Sequence, residues 1–154
     1  EGQVSGYRSQ VSVKGTPQLR PETCNLIPDE ALRACGYSRQ KITYIRSLCE
    51  FFITRKHLER DWAEMDDEAV IKDITQIKGI GRWTAEMFLM FHLMRPNVLP
   101  LDDLGLVNAI AKFYCHGQKP DKAKMRKVAE NWQPWCSVAT WYLWRTYDAD
   151  PVSY

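Results

Sequence analysis

The stretch that most constrains this chain is Lys78-Gly79-Ile80-Gly81, set between two runs of helical periodicity. Before it, Val70, Ile71, Ile74 and Ile77 recur at the three-four spacing of one buried helix face, with Asp66 or Asp67 as the cap. After it, Arg82 to about Met94 is apolar nearly all round, through Ala85, Met87, Phe88, Leu89, Met90, Phe91, Leu93 and Met94. Such a helix is expected at the centre of a domain. Two glycines around one isoleucine make a tight turn. Each glycine lets another surface approach the backbone, and Ile80 anchors the turn in the core. The second helix then starts with free N–H groups, which suit an anion, and Lys78 and Arg82 flank it with positive charge. On the two glycines alone, a plain helical corner explains the turn equally well.

The text around the hairpin is also helical. Pro28-Asp29-Glu30 opens a short helix that Gly36 ends. Ser38 caps a longer one with Ile42, Ile45, Cys49 and Phe52 on one face. Asp102-Asp103 opens a helix carrying Leu104, Leu106, Val107, Ile110 and Phe113, broken by Gly117 and Pro120. Asp121 caps a basic amphipathic helix with Met125, Val128, Ala129 and Trp132, and Pro134 starts the last, which runs to about Tyr147. No stretch alternates like a strand beyond a weak hint at Gln10–Lys14. The expectation is an all-α fold, one compact helical bundle of about seven helices. Residues 1–27, with Gly2, Gly6, Gly15, Pro17 and Pro21, read as an irregular N-terminal segment. Residues 28–154 form the helical domain, with the hairpin at 67–94.

Composition narrows the function. A formal net charge of +2 neither demands nor excludes a nucleic-acid partner. The five cysteines stand too far apart for a zinc site or an iron–sulfur cluster, so no metal–cysteine cofactor is expected, and they read as reduced thiols of an intracellular protein. No run approaches ~18 apolar residues, so no membrane partner is expected. Glu1-Gly2-Gln3-Val4-Ser5 lacks the marks of a secretory signal. Four of the six tryptophans, Trp132, Trp135, Trp141 and Trp144, fall within thirteen residues. They make either a dense core or a platform for a flat ligand.

Three separated motifs carry a family resemblance. Ile74-x-x-Ile77-Lys78-Gly79-Ile80-Gly81-x-x-Thr84-Ala85 resembles the helix-hairpin-helix motif, which holds DNA phosphates without reading sequence. With Gly81-Arg82-Trp83-Thr84-Ala85-Glu86-Met87 and then Val98-Leu99-Pro100-Leu101-Asp102-Asp103-Leu104-Gly105-Leu106, it is similar to the helix-hairpin-helix and Gly/Pro-loop-Asp signature of DNA base-excision glycosylases. Trp132-Gln133-Pro134-Trp135-Cys136-Ser137-Val138-Ala139-x-Trp141-Tyr142-Leu143-Trp144 resembles the alkylation-repair branch, 3-methyladenine DNA glycosylase II. The likeness runs from about Pro28 to Tyr147.

The resemblance implies an enzyme that flips a damaged nucleotide out of double-stranded DNA and hydrolyses its N-glycosidic bond, releasing alkylated purines in base excision repair. It assigns the catalytic carboxylate to Asp103, whereas a pair of Asp residues at a helix start is by itself a common cap; one Asp is expected to cap while the other faces the pocket. It places Trp83, Met87, Leu104 and Trp144 around the base, where aromatic faces suit a cationic ring. Trp141 and Tyr142 read as core. It places Lys78, Gly79, Ile80, Gly81, Arg82 and Thr84 against the DNA backbone, and a sodium or potassium ion against the main-chain carbonyls of Thr75, Ile77 and Gly79. Glycosylases that also cut the strand carry a Lys where this chain has Trp83, so no lyase activity is expected. Gln10 falls where relatives carry the wedge that fills the gap left by the flipped base. The whole helix that relatives place after the Gln10–Lys14 segment is absent, so the N-terminal part reads as truncated. A protein of this kind is expected to act as a monomer in the cytoplasm or nucleoid of a bacterium or the nucleus of a eukaryote. The alternative is a non-catalytic helix-hairpin-helix DNA-binding module, favoured by the missing helix and disfavoured by Asp103 together with Trp144.

Overall fold

A computed structural model describes residues 20–55 and 62–147 of the chain. Gln10, the Gln10–Lys14 stretch and most of the 1–27 segment lie outside the described residues. Within them every regular element is helical. In order these are α1 (Pro21–Asn25), α2 (Asp29–Ala34), α3 (Arg39–Thr54), α4 (Asp67–Ile74), α5 (Arg82–Phe91), α6 (Leu104–Tyr114), α7 (Lys122–Ala129), a single 3-10 turn (Glu130–Trp132) and α8 (Cys136–Arg145). None of these helices is long and apolar enough to cross a membrane.

The boundaries follow from local chemistry. Ser38 Oγ accepts the Lys41 N–H at 3.2 Å, Asp66 Oδ1 the Ala69 N–H at 2.8 Å and Asp121 Oδ1 the Lys124 N–H at 2.7 Å. Each side chain takes up one of the donors that a helix start leaves unpaired. Gly36 and Gly117 leave their helices with φ of 88° and 85°, where glycine carries no steric cost.

Three expectations are corrected here. The 1–27 segment contains a helix, α1, at Pro21–Asn25. A five-residue helix is too short to show a period, and what satisfies its end comes from far along the chain. The Arg46 guanidinium, on α3, donates to the Cys24 carbonyl at 3.0 Å, to that of Asn25 at 2.8 Å and to that of Ile27. The second helix of the hairpin ends at Phe91, short of Met94, because Met94 turns into the left-handed region at φ 53°. Phe91 and Met94 are exposed, so this segment is not buried all round. The last helix begins at Cys136 rather than Pro134, with Trp135 as its N-cap.

The core has two parts. The larger gathers Val70, Ile71, Ile74 and Ile77 from α4 and its C-terminal turn with Ala85, Leu89 and Met90 from α5, around Trp62 and Val98. Trp62 is buried, and its indole donates to Asp73 Oδ2 at 2.8 Å. That bond satisfies a polar atom the core would otherwise strand. The smaller part joins Leu106, Val107 and Ile110 of α6 to Met125 of α7.

The start of α8 is fastened to the loop after α5. The Ser137 N–H donates to the Pro96 carbonyl at 2.9 Å, and its hydroxyl donates to the Arg95 carbonyl at 2.7 Å while accepting the Val98 N–H at 2.9 Å. This loop leads directly into Asp103, so α8 and the head of α6 are held in one register.

Candidate active site

Asp103 is the N-cap of α6, and its Oδ1 accepts the Leu106 N–H at 2.7 Å. The same oxygen accepts the Trp144 Nε1–H at 2.7 Å, and Oδ2 accepts the Trp83 Nε1–H at 2.9 Å. Three donors from three helices therefore fix one buried carboxylate. All three partners are N–H donors, and the two oxygens of Asp103 accept every one of them. Asp102 points elsewhere: it is exposed and pairs with Lys122 Nζ at 2.6 Å. The division of labour expected between the two residues is thus corrected, because Asp103 alone caps the helix and meets both tryptophans.

Of the four residues expected around a base, Trp83 and Trp144 come together at Asp103. Trp83 is 47% exposed, and Trp144 stacks on Phe91 with ring centroids 6.0 Å apart at 22°. Leu104 directly follows Asp103 and is largely exposed. Met87 lies one turn after Trp83 and packs against the larger core. Trp141 and Tyr142, expected in the core, are exposed instead. α8 buries the face of Cys136, Ser137 and Thr140. Trp144 follows Thr140 by four residues and shares that side, whereas Trp141 and Tyr142 project from the other and pack edge to face at 5.1 Å. Arg145 lies over the Trp141 ring at 5.5 Å.

The hairpin joins α4 to α5. The Ile80 N–H donates to the Ile77 carbonyl at 3.0 Å, closing the turn, and the Lys78 N–H donates to Ser47 Oγ at 3.0 Å, tying the turn to α3. Gly79 sits at φ 94°, and a Cβ there would lie 2.4 Å from Cγ of Tyr44. Gly81 is different. It caps α5 at φ −96°, a conformation open to any residue, and a Cβ there would meet nothing within 4 Å. No side chain caps α5, so its first N–H groups are open to an outside acceptor. Thr84 is exposed beside them, and the exposed Lys78 ammonium has no partner among the described residues.

Arg82 is occupied internally. It donates through Nη1 to Glu68 Oε2 at 3.0 Å, through Nη2 to Glu68 Oε1, and through Nε to Glu86 Oε1 at 2.9 Å. Its guanidinium is held above its ordinary range, first by the hydrogen bonds to Glu68. Arg82, expected against the DNA backbone, thus also clamps α4 to α5 with its charge. Sequence reasoning missed Glu68 and Glu86. The i,i+4 spacing of Arg82 and Glu86 was a legible signal, whereas the partner in α4 was not.

This clamp makes stability respond to pH in two opposite ways. Burial pushes Glu86 above the ordinary glutamate value of 4.5, outweighing Arg82, and its Oε2 is buried without a hydrogen-bond partner. The native state therefore holds this proton longer than the unfolded chain, and stability falls as pH rises from 4.5 through the raised value. The Arg82 hydrogen bond holds Glu68 below 4.5, so its contribution is complete above 4.5 and is lost as pH falls through the lowered value. Denaturant melts across the acid and neutral range are expected to show Glu86→Gln gaining on the native chain as pH rises above 4.5, and Glu68→Gln falling behind it as pH climbs toward 4.5. Curves parallel to the native one would contradict both assignments.

The clamp also borders a cavity of about 520 Å³ between α4, α5 and α7, walled by Glu68, Arg82, Glu86, Leu89 and Arg126. Trp83, Asp103 and Trp144 take no part in that wall. All five cysteines are free, and burial pushes the Cys136 and Cys49 thiols up, which keeps them protonated and unreactive.

The hairpin, whose second helix starts without a side-chain cap, is thus followed in the chain by a buried carboxylate gripped by two indoles. Residues 7–134 match the family described as HhH-GPD superfamily base excision DNA repair protein, and the chain belongs to that superfamily. Trp83 and Asp103 lie within the matched span and Trp144 beyond it. The chain is 39% identical over 127 residues to DNA-3-methyladenine glycosylase 1 of Schizosaccharomyces pombe, covering 82% of this chain and 56% of that protein. It is similar to the solved S. pombe 3-methyladenine DNA glycosylase in complex with abasic DNA, with a TM-score of 0.74 and 37% identity over 87% of this chain and 66% of that one. DNA-3-methyladenine glycosidase from Bacillus halodurans gives a TM-score of 0.75 at 38% identity, over 84% of this chain and 60% of that one. The chain therefore spans between 56% and 66% of the length of these relatives.

Proposed function

We propose that this chain is a monofunctional DNA glycosylase that removes alkylated purines from double-stranded DNA by hydrolysing the N-glycosidic bond. The observation that carries this reading is the grip of the Trp83 and Trp144 N–H groups on the two oxygens of Asp103. As the bond to the base stretches, the sugar becomes oxocarbenium-like. A carboxylate already fixed in a poorly solvated place stabilises that charge without reorganising. Alkylation leaves the purine cationic, so the electron-rich faces of Trp83 and Trp144 attract it by stacking and cation–π contact. Leu104, exposed beside Asp103, adds apolar surface at the mouth of the site, and Met87 backs it from the core.

The DNA backbone meets the hairpin through main-chain N–H groups at Gly81 and the first turn of α5, with Lys78, Gly79, Ile80 and Thr84 beside them. Arg82 acts there through the clamp. A sodium or potassium ion would be held by the main-chain carbonyls of Thr75, Ile77 and Gly79. The Ile77 carbonyl already accepts the Ile80 N–H, which leaves it one lone pair for the ion. With Trp83 where strand-cutting relatives carry a lysine, no amine at this place can form a Schiff base with the sugar. The chain works on duplex DNA inside the cell and as a monomer.

Methylated duplex DNA incubated with the full chain tests the reading. Strand breaks are expected only after alkali, which opens the abasic sites left by base removal. Breaks without alkali would mean lyase chemistry. Binding to duplex DNA with no alkali-labile sites would leave a non-catalytic DNA-binding module.

A further inference from the structure

Gly105, the second residue of α6, has no backbone reason to be glycine: it lies within a regular helix. In that setting alanine is the better helix former. Its surroundings supply the reason. A Cβ at this position would lie 2.9 Å from Cδ1 and 3.0 Å from Nε1 of Trp144, and 3.2 Å from Asp103 Oδ1. The edge of the Trp144 indole that donates to Asp103 thus rests on the bare backbone of the first turn of α6. The indole is a rigid plate and has little room to retreat. Phe91 stacks on it, and the helix that carries it is fastened at Ser137 to the loop before Asp103.

From this contact we infer that Gly105 is a positioning residue: its missing side chain is what seats Trp144 on Asp103. A methyl group there displaces the indole edge and takes its N–H off Oδ1. Trp83 binds the other oxygen, Oδ2, which does not meet the new methyl, and is displaced less. The two tryptophans then cease to act as a pair on one carboxylate. The consequence for rate rests on the proposed glycosylase reading. A carboxylate held from one side only is less well fixed against the sugar, and a misplacement of this kind lowers the chemical step by on the order of 100-fold.

The test uses Gly105→Ala, Trp144→Phe and the double variant in the full chain. The first readout needs no activity. The indole N–H resonance lost in Trp144→Phe is that of Trp144. In Gly105→Ala this resonance is expected to move further than that of Trp83, with thermal unfolding still cooperative and lowered by about 2–4 °C for the one lost hydrogen bond. An unchanged Trp144 resonance overturns the inference. The second readout is single-turnover excision with duplex binding measured alongside. Gly105→Ala is expected to lose rate on the order of 100-fold with binding retained. The double variant is expected to be no slower than Trp144→Phe, because the smaller phenyl ring leaves room for the methyl and the N–H is already gone. Rate losses that multiply would mean that Gly105 acts apart from Trp144, which also overturns the inference. A moved resonance in a chain whose native form excises nothing would remove the glycosylase reading and leave the seating of Trp144 standing.

Discussion

Asp103→Asn is expected to lower single-turnover excision of alkylated purines by at least ~100-fold while duplex binding is retained or improved. The substitution keeps the size of the side chain and removes the charge that meets the sugar cation. It also has a structural effect that the three donors make visible. An amide has one oxygen. Placed at the position of Oδ1, that oxygen keeps the Leu106 and Trp144 N–H groups, and the NH₂ then faces the Trp83 N–H, donor against donor. One unmade bond of this kind costs about 1 kcal/mol, or about 2–4 °C in melting for a chain of this size. Asp102→Asn is the control. Its carboxylate is exposed and paired with Lys122, so excision is expected to stay near the native rate. Native turnover in Asp103→Asn would remove the assignment.

The two hairpin glycines are expected to fail in opposite ways. Gly79→Ala places a side chain at φ 94° and against the Tyr44 ring. The backbone conformation alone costs about 1–3 kcal/mol, and the ring contact adds to it. Gly79→Ala with Tyr44→Ala, set against Tyr44→Ala alone, is expected to show only the backbone part. Gly81→Asp is expected to fold at least as well as the native chain, because the position is conformationally ordinary and aspartate caps α5. Its charge repels the phosphate, so binding to all duplexes is expected to weaken together, by about tenfold, whether or not a lesion is present. Denaturant melts and binding titrations on matched lesion-free and methylated duplexes read both effects. A loss confined to lesion DNA would move Gly81 from backbone holding to base recognition. Unchanged binding would leave the turn a structural corner.

Much of this was legible in the sequence wherever the physics is local. Ser38, Asp66 and Asp121 cap their helices through side chains three residues from the donors they satisfy. The stripe of Val70, Ile71, Ile74 and Ile77 is buried as its spacing implies. The features that escaped depend on partners distant in the chain. Arg46 holds the end of α1 from 21 residues away, and Arg82 finds Glu68 across 14. Neither pairing leaves a periodic trace. α8 escaped for another reason. Aromatic residues crowd both of its faces, so composition could not say that Trp144 turns inward and Trp141 outward. Asp103 showed its identity but not its double use, since a sequence gives one letter for a group with two oxygens.

That double use bears on how such a site decays. In a copy of this sequence freed from selection for activity, Asp103 would still be retained for a time, because losing it uncaps α6 and weakens the fold. An aspartate found at this place in a drifting relative is therefore a poor sign of a living enzyme. Trp83 is the better witness. It is half exposed, and swapping its ring for a smaller one disturbs little of the core, so little besides function holds it in place. The first substitutions to accumulate in a silenced copy would fall on Trp83, with the carboxylate and the inward-packed Trp144 outlasting the chemistry they serve.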